Sequence, residues 1–214
     1  MRVLIGCEFS GVVRDAFLAR GHDAWSCDLL PTTAPGPHIQ GDILDVIGDG
    51  WDIGIFHPPC TYLCVSGLHW NSRREGRQEQ TEQALRFVRK LLDAPIDRIA
   101  LENPIGCIST RIRQPTQIVQ PYEFGDDASK ATCLWLKNLP RLKPTQRFNG
   151  RIAIDPAGRA VERWSNQTDS GQNALPPSDD RWAERSVTYH GIANAMADQW
   201  SVLSPIVEQM VLFE

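Results

Sequence analysis

The chain has 214 residues, is 42% hydrophobic and 22% charged, and carries a formal charge of −4. That length suits one large α/β domain, and no apolar run approaches the ~20 residues needed to span a bilayer. Six cysteines are too few and too scattered for a disulfide scaffold, and the acidic balance excludes a protein that coats nucleic acid through overall positive charge, so any such contact must come from a local patch.

The elements read as follows in chain order. Arg2-Val3-Leu4-Ile5 is a short strand, Ser10-Gly11 a turn, and Val12 to Arg20 carries apolar residues at helical spacing. The apolar stretch before Cys7 is too short for a signal peptide, so the cysteines are expected to stay reduced. Ala24 to Cys27 reads as a second strand with Asp28 at its end. Asp42 follows a Pro-rich loop, and Trp51 to Phe56 is a third strand running into His57-Pro58-Pro59-Cys60. Glu75 to Leu92 is the best helix, with Ala84, Leu85, Val88, Leu91 and Leu92 on one face. Ile99-Ala100-Leu101 is a strand ending in Glu102-Asn103-Pro104, and Thr132 to Leu136 looks like core strand. From Asp155 to Arg181 the composition turns polar with Gly and Pro, so residues 152–182 are expected to be a loop-rich insert within a single 1–214 domain. Ile192 to Phe213 is helical in pattern, with a break at Pro205. Strands alternating with helices predict βαβ units and a doubly wound, mostly parallel sheet of Rossmann-like type.

Four polar signals sit at predicted strand ends, where open α/β sheets bind ligands. The turn Cys7-Glu8-Phe9-Ser10-Gly11 leads into a helix and lets the backbone approach a ligand closely. Asp28 ends the second strand, where a carboxylate accepts hydrogen bonds from a ribose diol, and Asp42 is a second acid in the expected order. Pro58-Pro59-Cys60-Thr61 puts a thiol on a rigid loop, as a nucleophile with a depressed pKa requires. Glu102-Asn103-Pro104 fixes a carboxylate as an anchor or general acid. His57 either orients Cys60 or caps the strand. Cys60, Cys64, Cys107 and Cys133 lack the paired spacing of a zinc site, so no metal is expected.

Together these residues resemble the DNA (cytosine-5) methyltransferases. Phe9-Ser10-Gly11 is similar to the family's first cofactor motif, Pro59-Cys60 to its catalytic loop, Glu102-Asn103 to its glutamate motif, and Gly191-Ile192-Ala193-Asn194-Ala195 to its last motif. The resemblance implies a compact, phage-like enzyme with a Rossmann-like S-adenosylmethionine-dependent fold. Cys60 and Glu102 would be catalytic. Phe9, Ser10, Gly11, Asp28, Asp42, Pro58 and Asn194 would hold the cofactor, with residues 191–213 returning to complete its pocket. Asn103, Arg111, Arg113 and Lys130 would contact substrate. The chain departs from the family: Thr61 follows the cysteine where Gln is usual, the first motif lacks a further glycine, the Gln-x-Arg-x-Arg motif has only Arg111 and Arg113, or Gln146 and Arg147, as substitutes, and little room remains for a target recognition domain. The expectation is therefore a monomer that methylates duplex or single-stranded DNA, with a partner possible for target recognition, in the cytoplasm of a bacterium or phage-infected host. A pyrimidine-C5 enzyme acting on a nucleotide or RNA, and a non-catalytic DNA-binding relative, are the competing readings.

Overall fold

The computed structural model describes residues 1–179 and 181–202. Its centre is a seven-stranded sheet: β1 (Arg2–Gly6), β2 (Asp23–Asp28), β3 (His38–Gln40), β4 (Ile53–Phe56), β5 (Arg98–Pro104), β6 (Gln117–Val119) and β7 (Thr132–Lys137), in spatial order β3-β2-β1-β4-β5-β7-β6. The first five run parallel, and β7 lies antiparallel between β5 and β6. This is the Rossmann-like, mostly parallel architecture expected from the sequence. The central strands are buried on both faces, which is why Val3-Leu4-Ile5, Ile53 to Phe56 and Ile99 to Leu101 read as continuous apolar runs with no polar alternation.

Helices cover both faces. On one side α1 (Val12–Leu18) packs with the C-terminal helix His190–Trp200, joining Val13, Ala16 and Phe17 to Ile192, Met196 and Trp200 in one core. On the other side lie α2 (Ile43–Val46) and the long helix Arg77–Leu92, through Ile43, Leu85, Val88 and Leu91. Between these two come a short helix α3 (Val65–Leu68), which makes the long helix α4; beyond β5 follow α5 (Ile108–Arg111), α6 (Arg181–Ser186) and, last, the C-terminal helix α7.

Three boundaries differ from the sequence reading. The Pro-rich loop before Asp42 contains strand β3, three residues long and too short to leave a periodic signal. The long helix starts at Arg77, after Gly76 takes a left-handed turn, and not at Glu75. The insert is not all loop: β8 (Arg151–Ile154) pairs with β9 (Ala160–Arg163) in a hairpin whose Ile152 and Ile154 face solvent, so apolar side chains there do not mark a core. Helix α7 accounts for the start of the expected C-terminal helix; the break expected at Pro205 lies outside the described residues. Among the described residues no helix is long and apolar enough to cross a membrane, and no group of three His, Cys, Asp or Glu side chains could hold a metal ion.

Candidate active site

Because β1, β4 and β5 are adjacent and parallel, the segments that follow them emerge side by side. One cleft is lined by Glu8, Phe9 and Ser10 after β1, by His57, Pro58, Pro59 and Cys60 after β4, and by Glu102, Asn103 and Pro104 at the end of β5. Lys130, which precedes the antiparallel β7, reaches the same cleft.

The cysteine loop and the glutamate strand are tied together. Asn103 Nδ2 donates to the Pro58 carbonyl at 2.7 Å, fixing the first proline of the loop. The Cys107 amide donates to the Leu63 carbonyl at 2.8 Å, and Val65 N to the Ile105 carbonyl at 3.1 Å. Gly106 permits this approach, since a Cβ there would overlap the Leu63 carbonyl oxygen. Arg77 closes the far side by donating to the Thr61 carbonyl at 2.7 Å and lying over the Tyr62 ring. Two polar atoms in the cleft, His57 Nε2 and Asn103 Oδ1, are buried without a protein partner among the described residues. Orphaned buried polar atoms are rare, and in this cleft a bound ligand or an ordered water would complete the hydrogen bonding.

The charges follow from this packing. Burial pushes the Glu102 carboxyl up, but the hydrogen bond from His57 and the Lys130 charge outweigh it, and the net direction is down. Glu102 is therefore an acceptor at neutral pH. Glu8 moves the other way: burial raises its carboxyl, although Val13 N donates to it at 2.7 Å and Ser10 Oγ at 3.3 Å. Glu8 thus occupies the amides at the head of α1.

Cys60 does not have the acidic thiol expected from its rigid loop. The hydrogen bond to Cys64 pushes it up, and burial, the Cys64 charge and Glu102 act in the same direction, against Lys130 alone. Cys64 is lowered, chiefly by that same bond, with help from Ser66 and the Gly67 amide at the head of α3. Burial and the Glu102 charge favour the protonated thiol at Cys60, while Ser66 and the Gly67 amide favour the charged form at Cys64. Prolines fix the position of a thiol; they do not acidify it.

The remaining candidates lie elsewhere. Asp28 ends β2 and Asp42 follows β3; neither lines the cleft, but the charges of both bear on Cys7, which does. Asp28 accepts from Leu30 N at 2.9 Å, and Asp42 caps α2 by accepting from Leu44 N at 3.0 Å. Gly11 is left-handed, and the space a side chain would need there is filled by the Arg14 guanidinium. Asn194 is on the exposed face of α7, accepting from Arg20 at 3.3 Å. Arg111 pairs with Glu82 at 2.8 Å, and Arg113 donates to the Leu136 carbonyl near the opposite, amino end of β5. The structure does not bring these two arginines to the cleft.

Several lining groups escape a reading by motifs. Arg185, Ser186, Val187 and Thr188 strap the cleft mouth, held by Lys130 Nζ donating to the Arg185 carbonyl at 2.9 Å and by Phe9 against Trp182, with ring centroids 5.9 Å apart. No local pattern announces so long-range a contact. Glu8 and His57, by contrast, adjoin the recognised motifs, and Cys64 follows Cys60 across a single turn, its amide donating to the Cys60 carbonyl at 3.0 Å.

No family model and no curated protein matches this chain. Among solved structures, a candidate DNA modification methyltransferase encoded within a prophage (E. coli) is similar at a TM-score of 0.41 and 13% identity. The match covers 64% of this chain and 46% of that one, so this chain spans less than half of that protein's length.

Proposed function

We propose that this chain is an S-adenosylmethionine-dependent enzyme that methylates carbon 5 of cytosine in DNA through a covalent cysteine adduct. The observation that carries the reading is the convergence of Cys60 and Glu102, from two separate strand ends, on one cleft with Phe9 and Ser10. Neither motif predicts the other's position, and a carboxylate acceptor beside a nucleophile is what this chemistry requires.

The donor set fits the cofactor. Asp28 and Asp42 have no basic partner among the described residues, which suits hydroxyl and amino donors and a cationic sulfonium. Phe9, Ser10, Asp28 and Asp42 would hold it, and when bound it supplies an electrophilic methyl group. The chain's own residues do the rest. Cys60 must first lose its proton, and the nearby Cys64 sulfur, whose thiol is pushed down, would take it up. The Cys60 thiolate then adds to carbon 6 of the N3-protonated ring, which neutralises the ring and makes carbon 5 nucleophilic; the ionised Glu102 accepts from N3–H and so holds the pyrimidine edge. After methyl transfer, loss of the carbon-5 proton expels Cys60. In duplex DNA the base must first leave the stack.

An oligonucleotide carrying 5-fluorocytosine tests this. With the methyl donor present it should trap the wild-type chain as an adduct at Cys60, because fluorine cannot leave as a proton does. Mass spectrometry locates the bond. An adduct at another cysteine, or labelled methyl found on RNA or a free nucleotide and never on DNA, would overturn the reading.

A further inference from the structure

The chemistry above leaves His57 unused, although it is a well-enclosed titratable side chain of the cleft. Its backbone amide continues the β4–β1 ladder by donating to the Gly6 carbonyl at 2.9 Å, so the ring is fixed at its root. The side chain is 8% exposed, and Nδ1 lies 3.4 Å from Glu102 Oε2. That is long for a hydrogen bond, and contacts of this kind commonly tighten when a ligand fills the site. The other ring nitrogen, Nε2, is buried in the cleft lining with no partner.

We propose that His57 is a positioning residue of this site, which grips Glu102 through Nδ1–H and presents the bare Nε2 to an N–H donor on the bound pyrimidine. The inference rests on the function proposed above and adds a residue to it. The tautomer of the neutral ring follows from chemistry: a carboxylate accepts only, so Nδ1 is the nitrogen that donates to Glu102, and a neutral ring then keeps its lone pair on Nε2. Glu102 and Nε2 then form an edge of acceptors. Such an edge matches the N3–H and 4-amino donors of an N3-protonated 4-amino pyrimidine, whereas a 4-oxo pyrimidine turns its carbonyl toward Nε2 lone pair to lone pair. The charged and titratable groups facing this pair are Glu8 from the β1 turn, Cys60 from the β4 loop, and Lys130 and Cys133 from the β7 side. Lys130 and His57 both draw the Glu102 carboxyl down, so losing either leaves burial less opposed.

Nitrogen-15 NMR of the full chain reads the tautomer without turnover. The five histidines are separated by a His57→Gln variant. The His57 ring should show the Nδ1–H form near neutral pH, and Glu102→Gln should change that signal. An Nε2–H form, or a signal indifferent to Glu102→Gln, overturns the proposal whatever the enzyme does. Two substitutions then separate the nitrogens, since Asn places its amide near Nδ1 and Gln places its amide near Nε2. In a methyl-transfer assay His57→Asn should keep kcat within about fivefold while raising KM, and His57→Gln should lower kcat roughly a hundredfold. The acid limb of the His57→Gln profile should move to higher pH, because Glu102 loses a partner that keeps it ionised. Equal losses in both variants with unchanged pH profiles would mean mere packing and would sink the proposal. Wild-type protein that methylates no cytosine defeats the proposed function instead, and leaves the tautomer result standing.

Discussion

The carboxyl edge of the sheet is built in two manners. Over β4, β5 and β7 the polar groups interlock before any ligand arrives: Asn103 holds Pro58, His57 holds Glu102, and the segment after Glu102 is hydrogen-bonded to the segment after Cys60. Over β2 and β3 the edge is open. Asp28 and Asp42 make only local contacts, and Leu29 beside them is 72% exposed. The difference fits the two proposed tasks, since bond-making needs reacting atoms held in place beforehand, whereas a large flexible ligand can help to organise its own seat. The open half is not loose underneath, however. Fully buried Arg14 reaches Ser26 at 3.2 Å, Thr32 at 3.3 Å and the carbonyls of Ala34 and Pro35 at 3.3 and 3.0 Å, pinning the loop beyond β2.

The largest effect should come from the closed half. Cys60→Ser should cut methyl transfer by at least about 10³-fold, roughly 4 kcal/mol of barrier, while leaving binding of the methyl donor nearly intact. Free-protein alkylation sharpens the point. Cys60, held protonated, should react only as pH rises into the alkaline range, whereas Cys64 should already react at neutral pH. Peptide mapping after timed alkylation checks the order, and a Cys60 that reacts first at neutral pH would contradict the opposite directions in which their surroundings push the two thiols.

Arg14 tests the open half. Arg14→Met keeps most of the volume but removes every donor to Ser26, Thr32 and the two carbonyls, and should cost about 3 kcal/mol of stability in a urea titration. If the two halves are as separate as they look, donor affinity should fall with it and the pH dependence of Cys60 alkylation should not. Asp28→Ala is milder. It should weaken donor binding about tenfold, near 1.4 kcal/mol, read by calorimetry, without altering Cys60 reactivity. Unchanged affinity would remove Asp28 from the cofactor's seat.

The sequence carried the sheet and the convergence of its strand ends because both rest on strong local signals. Apolar runs such as Ile53 to Phe56 mark doubly buried strands, and proline beside Cys60 and Asn103 marks where they stop. It carried less of the electrostatics. Cys60 looked acidic because its loop is rigid, yet its charge state is set by Cys64, Glu102 and burial, none of which a rigid loop encodes. Gly11 read as room for a ligand, and it makes room for Arg14. The strap at 185–188 depends on contacts with distant residues, and the hairpin at 151–163 turns its Ile152 and Ile154 to solvent, so periodicity is silent for both.

Arg111 and Arg113 give the smallest expected effect and a clean control on the boundary of the site. Both were substrate candidates by their Arg-x-Arg spacing, but spacing within a short helix does not determine which end of the sheet a side chain reaches. Helix α5 ends at Arg111, whose guanidinium meets Glu82 on α4 at the surface, an exposed pair worth no more than about 1 kcal/mol. The Arg113 carbonyl accepts from Trp135 Nε1 at 2.8 Å, and its side chain runs on to the Leu136 carbonyl, toward the amino end of β5 and away from Glu102. Substituting either by Ala should therefore change kcat and KM for an oligonucleotide less than about twofold, with stability moving by roughly 0.5 kcal/mol or less. A loss of tenfold or more in KM, with a weaker salt dependence of binding, would show that DNA wraps past the carboxyl edge to reach them, and the functional surface would then extend well beyond the cleft.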